Sequence, residues 1–219
     1  PQESEDSTKK IQTNNTEDLF AHLDSLRLVI VGTFQAPVIN LDCSIDKIRY
    51  ENQIIGKLNT ELNYTNNNIT GNAKMFDSKN KNLLDINIKS IPIYLTLDNS
   101  KSDFIEYDDF NPIDIKFNLS KLPAKILSPF IPEVDNLDGF INASVNIGGI
   151  LPDNISYFGD LHLDDLTLRI LPTNLRYMAS GNITVETNRL YFNKLKVRNA
   201  VSDLRDGEAS LDGEIKLEK

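Results

Sequence analysis

The 219-residue chain has one cysteine, Cys43, two histidines, His22 and His162, and no tryptophan. A single thiol excludes an intramolecular disulfide and a cysteine-based metal site. Cys43 stands in phase with Leu41 and Ile45, so it is expected as a small apolar residue on a strand face and not as a nucleophile. The histidines are far apart and lack ligand spacing such as His-Glu-x-x-His. Also missing are a Gly-x-Ser-x-Gly elbow, a phosphate-cradling glycine loop followed by Lys and Ser or Thr, and an EF-hand loop. The acid pairs Asp108-Asp109 and Asp164-Asp165 do not converge on a general acid/base site, because neighbours on a strand point to opposite faces. Solvated or turn carboxylates are expected there. Neither an enzyme nor a cofactor or metal is expected.

No window approaches the ~18 continuous apolar residues of a membrane-spanning helix. No positively charged n-region with an apolar h-region precedes the first strand, so any targeting signal or anchor is expected outside these residues. The net charge of -9 and a pI near 4.8 oppose nucleic-acid binding and adhesion to an anionic membrane surface.

What the chain has in abundance is alternation. From Leu137 to Glu218 apolar and polar residues alternate in short runs that stop at Gly, Asn, Asp or Pro, the pattern of half-buried strands joined by tight turns. Ile141, Ala143, Val145 and Ile147 share one face, with Asn142, Ser144 and Asn146 on the other. The upstream half repeats this in Leu41, Cys43 and Ile45, Ile48 and Tyr50, Leu58 to Tyr64, Ile69 to Met75, Ile86 to Leu97, and Ile113 to Leu119. Turn signals fall at Glu51-Asn52, Asn66 to Asn68 and Asp77 to Asn82, and Pro92 marks an edge, a bulge or a strand end. About a dozen strands result, an all-β chain.

Two stretches depart from the alternation. Leu19, Phe20, Leu23 and Leu26 fall at helical spacing after Thr16, with Glu17 and Asp18 in the first turn, so a short helix is expected there, with the first strand beginning at Leu28. Lys121 to Val134 carries three prolines, and Pro123 to Ser128 fits one or two helical turns acting as a plug, a hinge or a plain connector. Residues 1–16 are polar and without periodicity, a disordered leader by composition. Residues 17–219 then form one elongated β-domain. GTFQAPVINL and GGILPDNIS open similar strand series, which suggests two quasi-repeats, 28–120 and 135–219, joined by connector 121–134.

The punctuation of the second half has a definite order. It runs Leu-Asp-Gly at 137–139, Gly-Gly-x-x-Pro at 148–152, Gly-Asp-Leu at 159–161, Leu-Pro-x-Asn at 171–174, Gly-Asn-Ile at 181–183 and Gly-Glu-Ala-Ser-Leu-Asp-Gly at 207–213. This order resembles the C-terminal part of the TamB family, the translocation and assembly module proteins of Gram-negative envelopes, within the AsmA-like group. A weaker resemblance reaches upstream to about Leu28. It implies an elongated, curled antiparallel sheet (a β-taco) with an apolar interior groove, plus one or two short helices. It further implies a periplasmic location, an inner-membrane anchor elsewhere in the protein, phospholipid acyl chains as cargo, and an outer-membrane partner of the BamA type.

The residues that alternation places on the dry face, and so the expected groove lining, are Ile141, Val145, Leu161, Leu163, Leu166, Leu168, Ile170, Ile183, Val185, Leu190, Phe192, Leu195, Val197, Leu211 and Ile215. A dry face must be covered, either by the protein's own second layer or by something else. The sequence is compatible with a filled sandwich acting as a structural module, and with a lipid-filled trough. A third reading is an assembly factor that offers a sheet edge, at Ile215 to Glu218, to nascent outer-membrane β-barrel strands.

Overall fold

A computed structural model describes residues 19–50, 53–95, 105–200 and 207–216. They form a single twelve-stranded sheet in which sequence neighbours pair: β1 Leu19–Thr33, β2 Ala36–Tyr50, β3 Gln53–Thr65, β4 Asn68–Phe76, β5 Asn82–Leu95, β6 Ile105–Tyr107, β7 Ile113–Pro123, β8 Val134–Ile150, β9 Asn154–Ile170, β10 Leu175–Glu186, β11 Arg189–Asn199 and β12 Glu208–Lys216. Every pairing is antiparallel. The order runs β1 to β5, then β7 to β12, and the short β6 pairs with β5 beyond the point where β7 leaves it. The sheet is continuous across the proline-rich connector, because β7 pairs directly with β8. The leader, the Glu51-Asn52 turn, Leu97, Leu217 and Glu218 lie outside the described residues.

Local chemistry explains the turns. Asn66 and Asn67 both take positive φ (50° and 59°), as a two-residue hairpin turn of the right twist demands, and asparagine tolerates that region best after glycine. Pro92 sits where β5 changes partners. Its last pairing with β7 is at Ser90 and its first with β6 is at Ile93, so the missing N–H breaks no ladder.

The expected helix around Leu19 to Leu26 is a correction: this segment is the first half of β1. The register shifts between His22 and Ser25, where an extra residue forms a β-bulge. The bulge puts Leu23 and Leu26 on the same face three positions apart, which mimics a helical period. The same device recurs on other strands. Ile45-Asp46-Lys47-Ile48 on β2, Leu119-Ser120-Lys121-Leu122 on β7, Leu163-Asp164-Asp165-Leu166 on β9 and Phe192-Asn193-Lys194-Leu195 on β11 all span register shifts. Lys121, Asp165 and Lys194, the third residue of each of the last three, have φ near +50°.

These bulges form a line across the sheet, close to the end where β7 finishes and β8 begins. Neighbouring strands satisfy the backbone that the bulges free. The Lys121 N–H donates to Asn142 Oδ1 (2.8 Å) and the Lys194 N–H to Asp212 Oδ1 (2.7 Å), while the Ser180 hydroxyl donates to Asp165 Oδ1 (3.0 Å). Every pairing along the main path except β3–β4 carries a shift. Bulges bend strands and add twist, and an antiparallel sheet of this width curls as the twist accumulates. The sheet is an elongated, curled all-β structure.

Beyond the bulge line the strands continue for a few residues as a short lip. Over the lip packs a 3₁₀ helix, Ala124–Phe130, entered through Pro123 with φ -61°. Ala124 is fully enclosed. Ala124 and Leu127 belong to a cluster with Leu137, Ile141, Leu163, Leu166, Ala179 and Leu195, while Ile126 packs with Ile55, Met75, Leu83 and Leu122. The connector is thus a plug at one end of the sheet, inserted between its two halves.

Two variants test the bulge account. Deleting Asp165 removes the extra residue and turns Leu166, Leu168 and Ile170 to the polar face, because a one-residue slip inverts every later side chain. The cooperative unfolding transition is expected to be lost. Asp212→Ala unbinds one bulge N–H and is expected to cost about 0.5–1 kcal/mol in urea denaturation, without changing the circular dichroism spectrum.

Candidate functional site: an open apolar trough

Residues directly opposed on antiparallel strands carry their side chains on one face, so the register can be followed from edge to edge. One row runs Leu23, Ile45, Leu58, Met75, Leu84, Leu119, Ala143, Leu161, Ile183, Phe192 and Gly213. The next runs Leu26, Cys43, Thr60, Ala73, Ile86, Phe117, Val145, Gly159, Val185, Leu190 and Ile215. A third follows Leu28, Leu41, Leu62, Gly71, Ile88, Ile115, Ile147 and Tyr157. The first two rows cross every main strand and the third runs from β1 to β9, with Thr60 as the only hydroxyl before Tyr157. At ~4.8 Å per strand they extend on the order of 50 Å.

Glycine has a specific task here. A Cβ on Gly159 would lie 2.1 Å from the Ser144 carbonyl oxygen and 2.6 Å from Val145 Cα, so only glycine permits that close approach of β8 and β9.

The expected lining residues all fall on this face. Ile141, Leu163, Leu166 and Leu195 are buried in the cluster beneath the plug, and Leu161, Leu168, Ile183, Phe192 and Val197 pack against it. Val145, Val185 and Leu190 stand in the second row, and Ile170 faces Val134 and Leu175 on the lip. Leu211 and Ile215 lie on β12 and are 46% and 50% exposed. The upstream half carries the same lining on β1 to β7. Cys43 is half-buried in its row, facing Leu26 and Thr60.

How full the trough is decides what it can do. Among the described residues no large side chain is fully enclosed. In a self-filled sandwich of this size the central Leu, Ile and Phe would be. On β1 the apolar face is bare, with Leu23, Leu26, Leu28 and Ile30 all more than half exposed. A face like this, continuous across eleven strands, exceeds what a soluble surface carries without a purpose.

The opposite face is polar and tied in its own rows. Ser144 donates to Asn118 Oδ1 (3.0 Å), Thr184 to Asp160 Oδ1 (2.8 Å) and Ser44 to Asn59 Oδ1 (3.1 Å). His162 stands there, Nδ1 2.6 Å from Asn182 Oδ1, on the polar face where alternation puts it. Arg169 pairs with Asp135 on the lip, and that guanidinium holds the Asp135 carboxyl below the usual range. Asp165 serves a bulge. Among the described residues no group of three His, Cys, Asp or Glu is placed to hold a metal, and no helix is long and apolar enough to cross a membrane.

At the end away from the plug, the face is bounded by a turn built on Asp108, where a solvated or turn carboxylate was expected and the structure shows a turn carboxylate that is buried. Asp108 is buried, and its carboxylate accepts from the Asn111 side chain (2.8 Å), the Phe110 and Asn111 N–H groups (2.9 and 3.0 Å) and the Tyr94 hydroxyl (3.0 Å). The run Asp-Asp-Phe-Asn-Pro was the available signal, since Asp before Asn-Pro favours a side-chain-capped turn. Nearby, Tyr64 reaches from β3 to donate to the Ile93 carbonyl (3.3 Å) and accept from the Leu95 N–H (3.0 Å). No family model, curated protein or solved structure matches the chain.

The Asn111 side chain foremost, with the backbone N–H groups, draws the Asp108 pKa down to about 2. The ordinary aspartate value is near ~3.9, so the unfolded chain takes up the proton first as pH falls. The turn's stabilisation is therefore complete above about pH 4 and disappears towards pH 2. A carboxyl titration by NMR should give a midpoint near 2, raised in Asn111→Ala. A midpoint near 4 in the unmodified protein would contradict the geometry.

Proposed function

We propose that the trough takes up the acyl chains of phospholipids and conducts them across the periplasm, as the resemblance to TamB-type envelope proteins implies. The observation that carries this is a continuous apolar face, lined in register from β1 to β12, on which no large side chain among the described residues is fully enclosed. Each covered CH₂ contributes about 0.8 kcal/mol, so a sixteen-carbon tail gains roughly 12 kcal/mol gross, enough to offset departure from a bilayer only if most of the tail is covered. The rows present methyl and methylene groups with few polar anchors. Many adjacent positions are then nearly equal in energy, which favours sliding over tight storage. The headgroup stays in water at the open side. On this reading the protein works in the periplasm, held to the inner membrane by parts outside these residues, and meets a BamA-type partner at the outer membrane.

Photocrosslinking tests the reading directly. With a crosslinker at Phe192 and phospholipid vesicles, lipid adducts are expected in the parent protein and should fall at least tenfold in Leu168→Asp/Val185→Asp. Leu168 and Val185 are partly exposed and neither is enclosed, so each carboxylate can reach water and strand content should stay nearly unchanged. In a filled core the same pair would cost several kcal/mol and unfold the sheet. Unchanged crosslinking would sink the proposal.

One observation favours the assembly reading as a second. Among the described residues β1 is a fifteen-residue edge paired only with β2, and it carries Leu28, Val29, Ile30 and Val31 in sequence, a composition proper to a central strand with both faces covered. Among the described residues β12 is the other edge, nine residues and exposed throughout. If β1 captures nascent barrel strands, a peptide copy of an outer-membrane β-strand should slow hydrogen exchange of the β1 amides while leaving β8 and β9 unaltered. Exchange rates indifferent to the peptide would remove this reading.

A further inference from the structure

The bulges of β1 and β2 create a feature on the polar side of the first hairpin. His22 faces Lys47 across the pair, Phe20 faces Arg49, and Arg49 faces Ile54 on β3. Phe20, Ala21, His22, Lys47, Arg49 and Ile54 line a half-open surface cavity of about 360 Å³, a volume within the range of small-ligand sites. Its walls are divided. Phe20 and Ile54 are each more than half exposed and supply an apolar side, while Lys47 and Arg49 supply two cations.

The electrostatics run against those of the chain as a whole, whose net charge is -9. A carboxylate beside the cavity, Asp46, is engaged by His22 Nδ1 at 2.7 Å, and that contact lowers its pKa. Lys47 reaches the same carboxylate only at 3.9 Å. The Arg49 guanidinium lies 5.1 Å from the Phe20 ring centroid, a cation–π contact that ties it to the cavity's apolar wall and uses none of its N–H donors in an ion pair. Among the described residues no carboxylate pairs with Arg49. The adjacent strand repeats the arrangement, with Lys57 5.7 Å from the Phe76 ring. A local cationic corner beside an apolar wall suits an anion attached to an alkyl segment.

We infer that this cavity binds a phosphate carried on an amphiphile, with Lys47 and Arg49 on the phosphate oxygens and Phe20 and Ile54 on the first carbons of the chain. Arg49 supplies a two-pronged donor and Lys47 a point charge. The site lies on the opposite face of the sheet from the trough, so its occupancy does not depend on acyl chains entering the trough.

The test compares three probes by NMR at low salt: dodecyl phosphate, inorganic phosphate and the uncharged dodecyl maltoside. It uses the full chain, and repeats the titrations in Leu168→Asp/Val185→Asp, where the trough no longer competes. Dodecyl phosphate is expected to shift the amides of residues 20–22, 47–49 and 54 in both proteins. Inorganic phosphate should bind there at least tenfold more weakly, and Lys47→Gln/Arg49→Gln should weaken dodecyl phosphate at least tenfold. Equal affinity for inorganic phosphate would make free phosphate the ligand and overturn the amphiphile assignment. Equal affinity for the maltoside, shifts confined to the trough, or an unaffected double variant would overturn the site itself. Loss of trough binding in Leu168→Asp/Val185→Asp with these shifts intact separates the two proposals.

Discussion

A sheet with one apolar face has to cover it, and the rest of this structure follows from how little the chain supplies to do so. A second layer is absent among the described residues apart from the seven-residue 3₁₀ helix, Ala124–Phe130. Burial accordingly gathers beneath that plug, at Ala124, Leu137, Ile141, Leu163, Leu166 and Leu195, with a second buried group at Tyr64, Ile93 and Ile113 towards the other end, and fades towards β1 and β12. Hydrophobic burial is the main favourable term in folding, so a face left half wet is a standing cost unless another molecule relieves it.

The bulge line gives that face its shape. Repeating apolar-x-x-apolar segments on β1, β2, β7, β9 and β11 insert an extra residue near the same end of the sheet. Residues with φ near +50°, at Lys121, Asp165 and Lys194, are held there by hydrogen bonds from or to the next strand. The same geometry that curls the sheet over its apolar side also pushes Lys47, beside Asp46, out to the polar side of the first hairpin. Groove and cationic corner are two consequences of one local device.

The all-β class, the strand number and the dry-face residues from Ile141 to Ile215 were readable because period-two alternation is strong wherever one face is wet. Residues 19–26 were misread as a helix because the bulge at Asp24 replaces period two with a spacing of three, which a helix also shows. Leu163 and Leu166 carry the same signature, but Leu161 and Leu168 on either side kept their strand legible. β6 escaped notice because three residues carry no periodicity. The cavity at Phe20 and Arg49 was out of reach for a deeper reason: it exists only if the segment around Phe20 is a strand paired with β2. Whether the trough is filled is not a property of alternation at all, since filled and open sheets share it.

The most direct measurement is native mass spectrometry of the purified protein, followed by extraction of whatever travels with it. An open trough predicts a population carrying mass increments that extract as phospholipid. A bare protein that stays compact and takes up no labelled lipid would contradict the account and return the apolar face to the role of a self-sufficient core.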